Sequence, residues 1–224
     1  MRLAAGLALL LAAAAAHAAD RRVAVDPDLP PWNAVAKVQT DTGVHCTGVL
    51  IAPAVVLTAA HCLYNRRTGA MLWAGALHVL FGYRRDRYRW HRFVARTIVG
   101  AGFAGAKRPP QPADWARLIL AAGVPVAPLP LFAGPVVPGM PIVLAGYNQD
   151  RAQLLMADPD CHVLRVVRRA RGRFVIHDCE GTMGTSGAPL IARRNGGWAV
   201  VAINLAAGRT DNLALVPPLA AIAR

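Results

Sequence analysis

Three residues of this chain have side chains that could act together on a carbonyl carbon. Ser186 stands between glycines in "GTMGTSGAP", residues 181–189. His61 closes an apolar run in "LTAAHCL", residues 57–63, and Asp114 opens another in "ADWARLIL", residues 113–120. A serine hydroxyl is a weak nucleophile at neutral pH. It needs a base beside it, normally histidine, and the histidine needs an acid to fix its tautomer. Each residue also has a plainer reading. Gly and Ser are ordinary turn residues, and a single His or Asp is more often structural than catalytic. The outcome depends on whether the chain builds a rigid frame that brings the three together.

The elements that would form such a frame are short and strand-like. Runs such as "AVAKVQT", "HCTGVLIA", "AVVLTAA", "ALHVLFGY", "RYRWHRFVARTIVG" and "WARLILA" recur over residues 34–121, and Gly, Pro or Asn punctuates most gaps. That rhythm is the signature of an antiparallel barrel or sandwich. A Pro-rich stretch, residues 123–140, follows; proline removes ladder donors, which makes it a linker and not a central strand. Strand-like runs resume in "PIVLAGYN", "CHVLRVVRR", "RFVIHDC", "APLIARR", "WAVVAINLAA" and "NLALVP", and the tail "PPLAAIAR" reads as a short helix. With 224 residues, 55% of them hydrophobic, the chain can fill one large all-β domain or two small barrels. The expected order is an extended lead-in (19–33), an N-terminal β-barrel with His61 and Asp114 (34–122), the linker, and a C-terminal β-barrel with Ser186 (141–224).

Residues 1–18 read as a signal peptide: Arg2, an apolar run over 3–16, and Ala16-His17-Ala18 as a small-x-small cleavage site. The apolar run is too short to span a bilayer comfortably and no other long one exists. The expectation is a secreted or periplasmic protein with no stable membrane insertion after cleavage. In that setting four cysteines, Cys46, Cys62, Cys161 and Cys179, suggest two disulfides, and composition leaves the three pairings open. His45, His61, His162 and His177 lie near the cysteines, but neither Cys-x2-Cys nor His-x3-His spacing occurs, so no metal and no cofactor is expected. The net charge is +13, nearly all of it from Arg. Such a surface binds anionic surfaces non-specifically. The densest patch, "RRDRYRWHRF" at 84–93, interleaves Arg with aromatics, a pattern that can bind single-stranded nucleic acid. Its preferred reading is an amphipathic strand with Arg87 and Arg89 on one face and Tyr88 and Trp90 on the other. Nucleic acid is therefore not the expected partner. The basic cluster at 165–173 reads as a hairpin.

Leu57-Thr58-Ala59-Ala60-His61-Cys62 resembles the histidine motif of the trypsin-like, chymotrypsin-fold serine proteases. "DWARLIL" is similar to their aspartate motif, "GTSGAP" resembles their Gly-Asp-Ser-Gly-Gly-Pro, and the order His, Asp, Ser is the same. "LAGYNQDRAQ" and "HDCEGTMGTSGAP" are similar to the bacterial branch of small exported proteases that includes the glutamyl endopeptidases. The resemblance covers roughly residues 33–220. It implies an all-β fold of two antiparallel barrels with a short C-terminal helix, a cleft in which His61, Asp114 and Ser186 meet, a polypeptide substrate and a monomer. It further implies disulfides Cys46–Cys62 and Cys161–Cys179, and an oxyanion hole made by the N–H groups of Gly184 and Ser186.

The departures carry information as well. The family's acid before the serine, which pairs with a freed N-terminal ammonium, is Thr185 here, and no Ile-Val-Gly-Gly-like start is present. Activation through such an ammonium is not expected. Arg21-Arg22 is a trimming site should the lead-in act as a propeptide. Arg117 replaces an apolar residue of the aspartate motif and is expected to reach an edge. Glu180 takes the slot of the trypsin pocket floor, where an acid binds Arg or Lys, and its plainer reading is a solvated or structural acid next to Cys179; Met183 is expected to narrow that pocket. Asn204 stands where glutamyl endopeptidases carry a His, which argues against glutamate preference. The α/β-hydrolase elbow fails, because Ala188 occupies its last Gly and His61 precedes the serine. Two rival readings remain: an inactive protease-like envelope protein, and a basic binding module that reuses the fold.

Overall fold

The computed structural model describes residues 20–106, 111–169, 172–208 and 211–222. The leader expected at 1–18 and the tip of the basic hairpin at 170–171 lie outside them. The chain begins with β1 (Val23–Ala24), then folds β2 (Val35–Thr40), β3 (His45–Ala52), β4 (Val55–Thr58), a short hairpin of β5 (Tyr64–Asn65) and β6 (Ala70–Met71), β7 (Leu77–Phe81), β8 (Trp90–Val99) and β9 (Ala116–Leu120). Six of these close a barrel in the order β2-β3-β4-β9-β8-β7. Alternation drives the closure: in β7, Leu77, Val79 and Phe81 are fully buried while His78 between them is not.

After the linker come β10 (Pro141–Gly146), β11 (Met156–Arg169), β12 (Gly172–His177), β13 (Pro189–Arg194), β14 (Gly197–Ala207) and β15 (Asn212–Leu215). They form a second ring, β11-β10-β13-β14-β15-β12, closed by the pairing of β11 with β12. All pairings between the named strands are antiparallel. One apolar cluster runs from the first barrel through the seam, joining Val49, Leu57 and Leu118 to Tyr147, Ile203 and Leu215. Another fills the second barrel around Leu144, Val163, Val175 and Leu190. The linker touches both barrels: Leu129 N donates to Leu50 O at 2.9 Å, and Phe132 N to Val200 O at 2.8 Å. It contains no strand among residues 121–140, in keeping with its prolines.

Three expectations need amendment. Residues 84–89 are not strand: Arg85 and Asp86 both have positive φ (48° and 61°), and Arg84 and Arg87 exchange backbone bonds of 2.8 and 3.0 Å. That is a two-residue hairpin turn of the type I′ kind, and strand starts only at Trp90. Gln153 holds the turn, accepting from Asp86 N at 3.0 Å. The lead-in is not merely extended, because β1 pairs with β11 at Ala157 and Met156. Arg117 does not reach an edge. It is only 9% exposed, and its Nη1 donates to Ile222 O at 2.9 Å. The tail forms a single helical turn, Leu219–Ile222. The termini thus cross over: β1 lies on the second barrel, and the C-terminal turn packs Ile222 against the core of the first.

Candidate active site

His61 lies in a short 3-10 turn, Ala60–Leu63, that follows β4. Asp114 precedes β9, which pairs with β4, so one strand pair delivers both residues. Asp114 is 5% exposed. Its Oδ1 accepts from His61 N at 2.9 Å, and its Oδ2 faces His61 Nδ1 at 2.8 Å. Two bonds from one carboxylate fix both the backbone and the ring. The Nδ1 proton is thereby committed to Asp114, which leaves Nε2 with its lone pair.

Ser186 comes from the other barrel, in the loop before β13. Its carbonyl accepts from Thr47 N on β3 at 2.9 Å, and Cys62 Sγ lies 3.7 Å from the same oxygen. Cys62 follows His61 and is bridged to Cys46, beside Thr47. The disulfide therefore ties the histidine turn to the strand that anchors the serine. Among the described residues no hydrogen bond links Ser186 Oγ to His61 Nε2, a looseness common in sites without substrate.

The serine loop opens with a β-turn. Thr185 N donates to Thr182 O at 3.2 Å, and Gly184 at its third position has φ +93°, which defines a type II turn. A Cβ on Gly184 would strike Tyr147 O and His45 Nε2, and one on Gly187 would strike Thr58 Oγ1 and Thr47 O. The N–H groups of Thr185, Gly187 and Ala188 are all paired, Gly187 with Asn204 O at 2.7 Å. Those of Gly184 and Ser186 donate to nothing among the described residues. Two unpaired donors flanking a serine are what a developing oxyanion needs.

The trypsin-like peptidase domain model matches residues 46–203 of the sequence. The protein belongs to the trypsin-like peptidase family. A solved structure of a Glu endopeptidase, in complex with MPD, superposes with a TM-score of 0.73 over 91% of this chain and 94% of the other, at 20% sequence identity. That likeness is one of fold. Among curated proteins none matches the chain by sequence.

In this trypsin-like peptidase the residue before Ser186 is held by neutral groups. Thr185 is 1% exposed. Its Oγ1 donates to Thr182 O at 2.7 Å and accepts from Asn204 Nδ2 at 3.1 Å. Asn204 Oδ1 faces His177 Nε2 at 3.2 Å, so that nitrogen carries the proton. Burial pushes the His177 ring down to about 4. Asn204 therefore lies under the serine loop, and the expectation that it lines the pocket gives way to a supporting role.

Thr47 is the residue that sequence reasoning missed. It is fully buried on β3. Its Oγ1 donates to Gly184 O at 2.9 Å and accepts from Tyr147 N at 2.9 Å, and its carbonyl accepts from Thr58 Oγ1 at 2.8 Å. One threonine thus joins the oxyanion turn to both barrels. Nothing in "HCTGV" sets that threonine apart from any other strand threonine.

A cavity of about 240 Å³ adjoins the strand entering the serine loop, lined by Arg22, Asp178, Glu180, Thr182 and Asp211 among others. Glu180 is on its wall. Met183 is 73% exposed and does not narrow it. Arg22 was not expected there. It donates to both oxygens of Asp150, at 3.0 and 2.7 Å, and to Asn148 Oδ1 at 2.8 Å. Its guanidinium holds the Asp20 and Asp150 carboxyls below the usual range, chiefly by side-chain hydrogen bonds. Cys161–Cys179 braces the same segment, and both disulfides pair as the resemblance implied. The grouping of Cys161, Asp178 and Cys179 offers no thiolate to a metal, because both sulfurs are bridged.

Proposed function

We propose that the protein is an exported serine endopeptidase, acting through Ser186, His61 and Asp114. His61 Nε2 takes the hydroxyl proton as Ser186 Oγ bonds to the scissile carbonyl carbon. The oxyanion accepts from the N–H groups of Gly184 and Ser186. Collapse breaks the C–N bond, and His61 hands its proton to the departing amine. An ester on Ser186 remains. Water, deprotonated by His61, attacks that ester; as the acyl C–Oγ bond breaks, His61 returns the proton to Ser186 Oγ and the new acid leaves. Asp114 stays ionised throughout and steadies the imidazolium. The observation that carries this reading is His61 held by Asp114 at both its backbone and its ring, together with a serine loop whose Gly184 and Ser186 N–H groups are unpaired among the described residues. The disulfides and the apolar leader support export.

The test is labelling with a peptide organophosphonate, followed by mass mapping. An adduct on Ser186, absent in Ser186→Ala and His61→Ala, is expected, with hydrolysis falling by about 10⁶ in either variant. An unlabelled wild type would return the chain to the inactive-binder reading.

The pocket reading is cleavage after Arg or Lys. Asp178, Glu180 and Asp211 supply carboxylates to the cavity, while the Arg22 charge is already committed to Asp20 and Asp150. A basic side chain gains a charge-assisted bond there and an acidic one meets like charge. A peptide-library profile is expected to show Arg and Lys at the cleaved position, and Glu180→Gln to flatten it. A profile rich in Glu would sink this assignment.

A further inference from the structure

Two arginines of the lead-in grip the serine loop from outside. The carboxylate of Asp158, on β11, has a fully buried side chain, and Arg21 is its cation among the described residues, with Nη2 at 3.0 Å from Oδ2. The same Oδ2 accepts from Glu180 N at 2.7 Å, Arg21 Nη2 also donates to Asp178 O at 2.6 Å, and Arg21 N donates to Glu180 Oε2 at 2.9 Å. Arg21 thus binds residues 178 and 180 and the strand behind them. Arg22 continues the grip. Its acceptors Asn148 and Asp150 also hold Thr182, through Thr182 N at 3.0 Å and Thr182 Oγ1 at 2.8 Å. Thr182 O is the acceptor that closes the type II turn presenting Gly184. An unbroken series of polar contacts therefore runs from the lead-in to the oxyanion donors.

From this we infer that Arg21 and Arg22 are positioning residues for the oxyanion turn, and that residues 20–24 are a permanent part of the peptidase, not a propeptide. The inference rests on the reading of Ser186 as the nucleophile. In relatives with an acid before the serine, a new ammonium orders the loop from within. Thr185 has no charge to pair, and the cations here act one step earlier, on the segment leading into the turn. Guanidinium is well suited to this role, because its planar fork serves several oxygens at once and never loses its proton. A buried carboxylate such as Asp158 stripped of that partner would force its segment to rearrange. Cleavage after Arg22 is then inactivation, the reverse of zymogen release.

The experiment compares chains beginning at Ala19 and at Val23, together with full-length Arg21→Ala and Arg22→Ala. The chain from Ala19 is expected to be active without further processing. Each other form is expected to lose at least ten-fold in kcat, with a smaller change in KM. Affinity for a peptide boronate, which mimics the tetrahedral state, should fall by the same factor. Millimolar guanidinium should restore part of the kcat of Arg21→Ala, a rescue that a merely structural defect would not show. Hydrogen exchange at residues 178–188 should rise in both point variants. Unchanged kcat and unchanged exchange in the point variants would overturn the inference, as would activity gained on starting at Val23. The exchange readout needs no turnover, so it decides the matter even if Ser186→Ala proves as active as wild type, an outcome that would sink the nucleophile reading instead.

Discussion

Thr47 pins the oxyanion turn to the first barrel by its side chain, and the serine by its backbone. Thr47→Val keeps the shape of the side chain but leaves Gly184 O without its donor and Tyr147 N without its acceptor. Each orphaned group costs about 1–3 kcal/mol. The expected result is a lower urea midpoint together with a kcat reduced about 10- to 100-fold, in the range of a damaged oxyanion hole; an unchanged kcat would leave Thr47 as a packing residue only. His177 gives a second test. Its ring is depressed to about 4 by burial, whereas an exposed histidine titrates near 6.5. The unfolded chain therefore takes up the proton first as pH falls. The stability conferred by neutral His177 is complete above about pH 6.5 and is lost as pH drops toward 4, at a cost of about 3 kcal/mol. Burial moves His45 and His91 the same way. Urea midpoints at pH 7.5 and 4.5 should differ by less in His177→Gln than in wild type, and equal differences would acquit this residue. The pairing of His61 with Asp114 was readable in the sequence because general-base catalysis admits few residue types, and the short motifs around them kept their spacing. The role of Thr47 and the supporting place of Asn204 were not readable, since they are set by partners from 11 to 137 residues away.

The serine loop depends on elements that are themselves short, and the two disulfides compensate for that. Their sequence separations are 16 and 18 residues, so in the chain-entropy view each stabilises by about 3 kcal/mol. Replacing Cys161 and Cys179 together by Ser should lower the stability measured in urea by about that amount. An unaltered midpoint would mean that the β11–β12 pairing alone holds the entry to the loop. Most strands were legible because their burial alternates or runs unbroken: β3 falls on the run "HCTGVLIA". The start of β11 was not, for "MADPD" carries Pro159 and two acids that read as loop. There, Asp158 is buried because an arginine 137 residues away meets it. The turn at Arg84–Arg87 was missed for a related reason. Positive φ at an arginine and an aspartate costs free energy locally, and here Gln153 and Tyr83 offset it through bonds to Asp86.

Across the whole molecule the excess of arginine survives the many internal ion pairs, since the formal charge is +13. The protein should be retained on an anionic matrix at low ionic strength and released as salt shortens the screening length from about 10 Å at 0.1 M to about 3 Å at 1 M. Retention that ignores salt would point to a specific contact in place of general attraction. The partly buried contact between His61 and Asp114 should respond to salt far less, because the two groups meet at 2.8 Å. The crossed termini have a consequence of another kind. The first described residues pair with the second barrel, and the last bond to the first. A single cut in the linker between the barrels would therefore not release two halves. Each fragment would still carry an arm embedded in the other, so a nicked molecule remains one body. The polypeptide is fastened as a buckle is, at both ends, and the vulnerable middle can be severed without the strap coming loose.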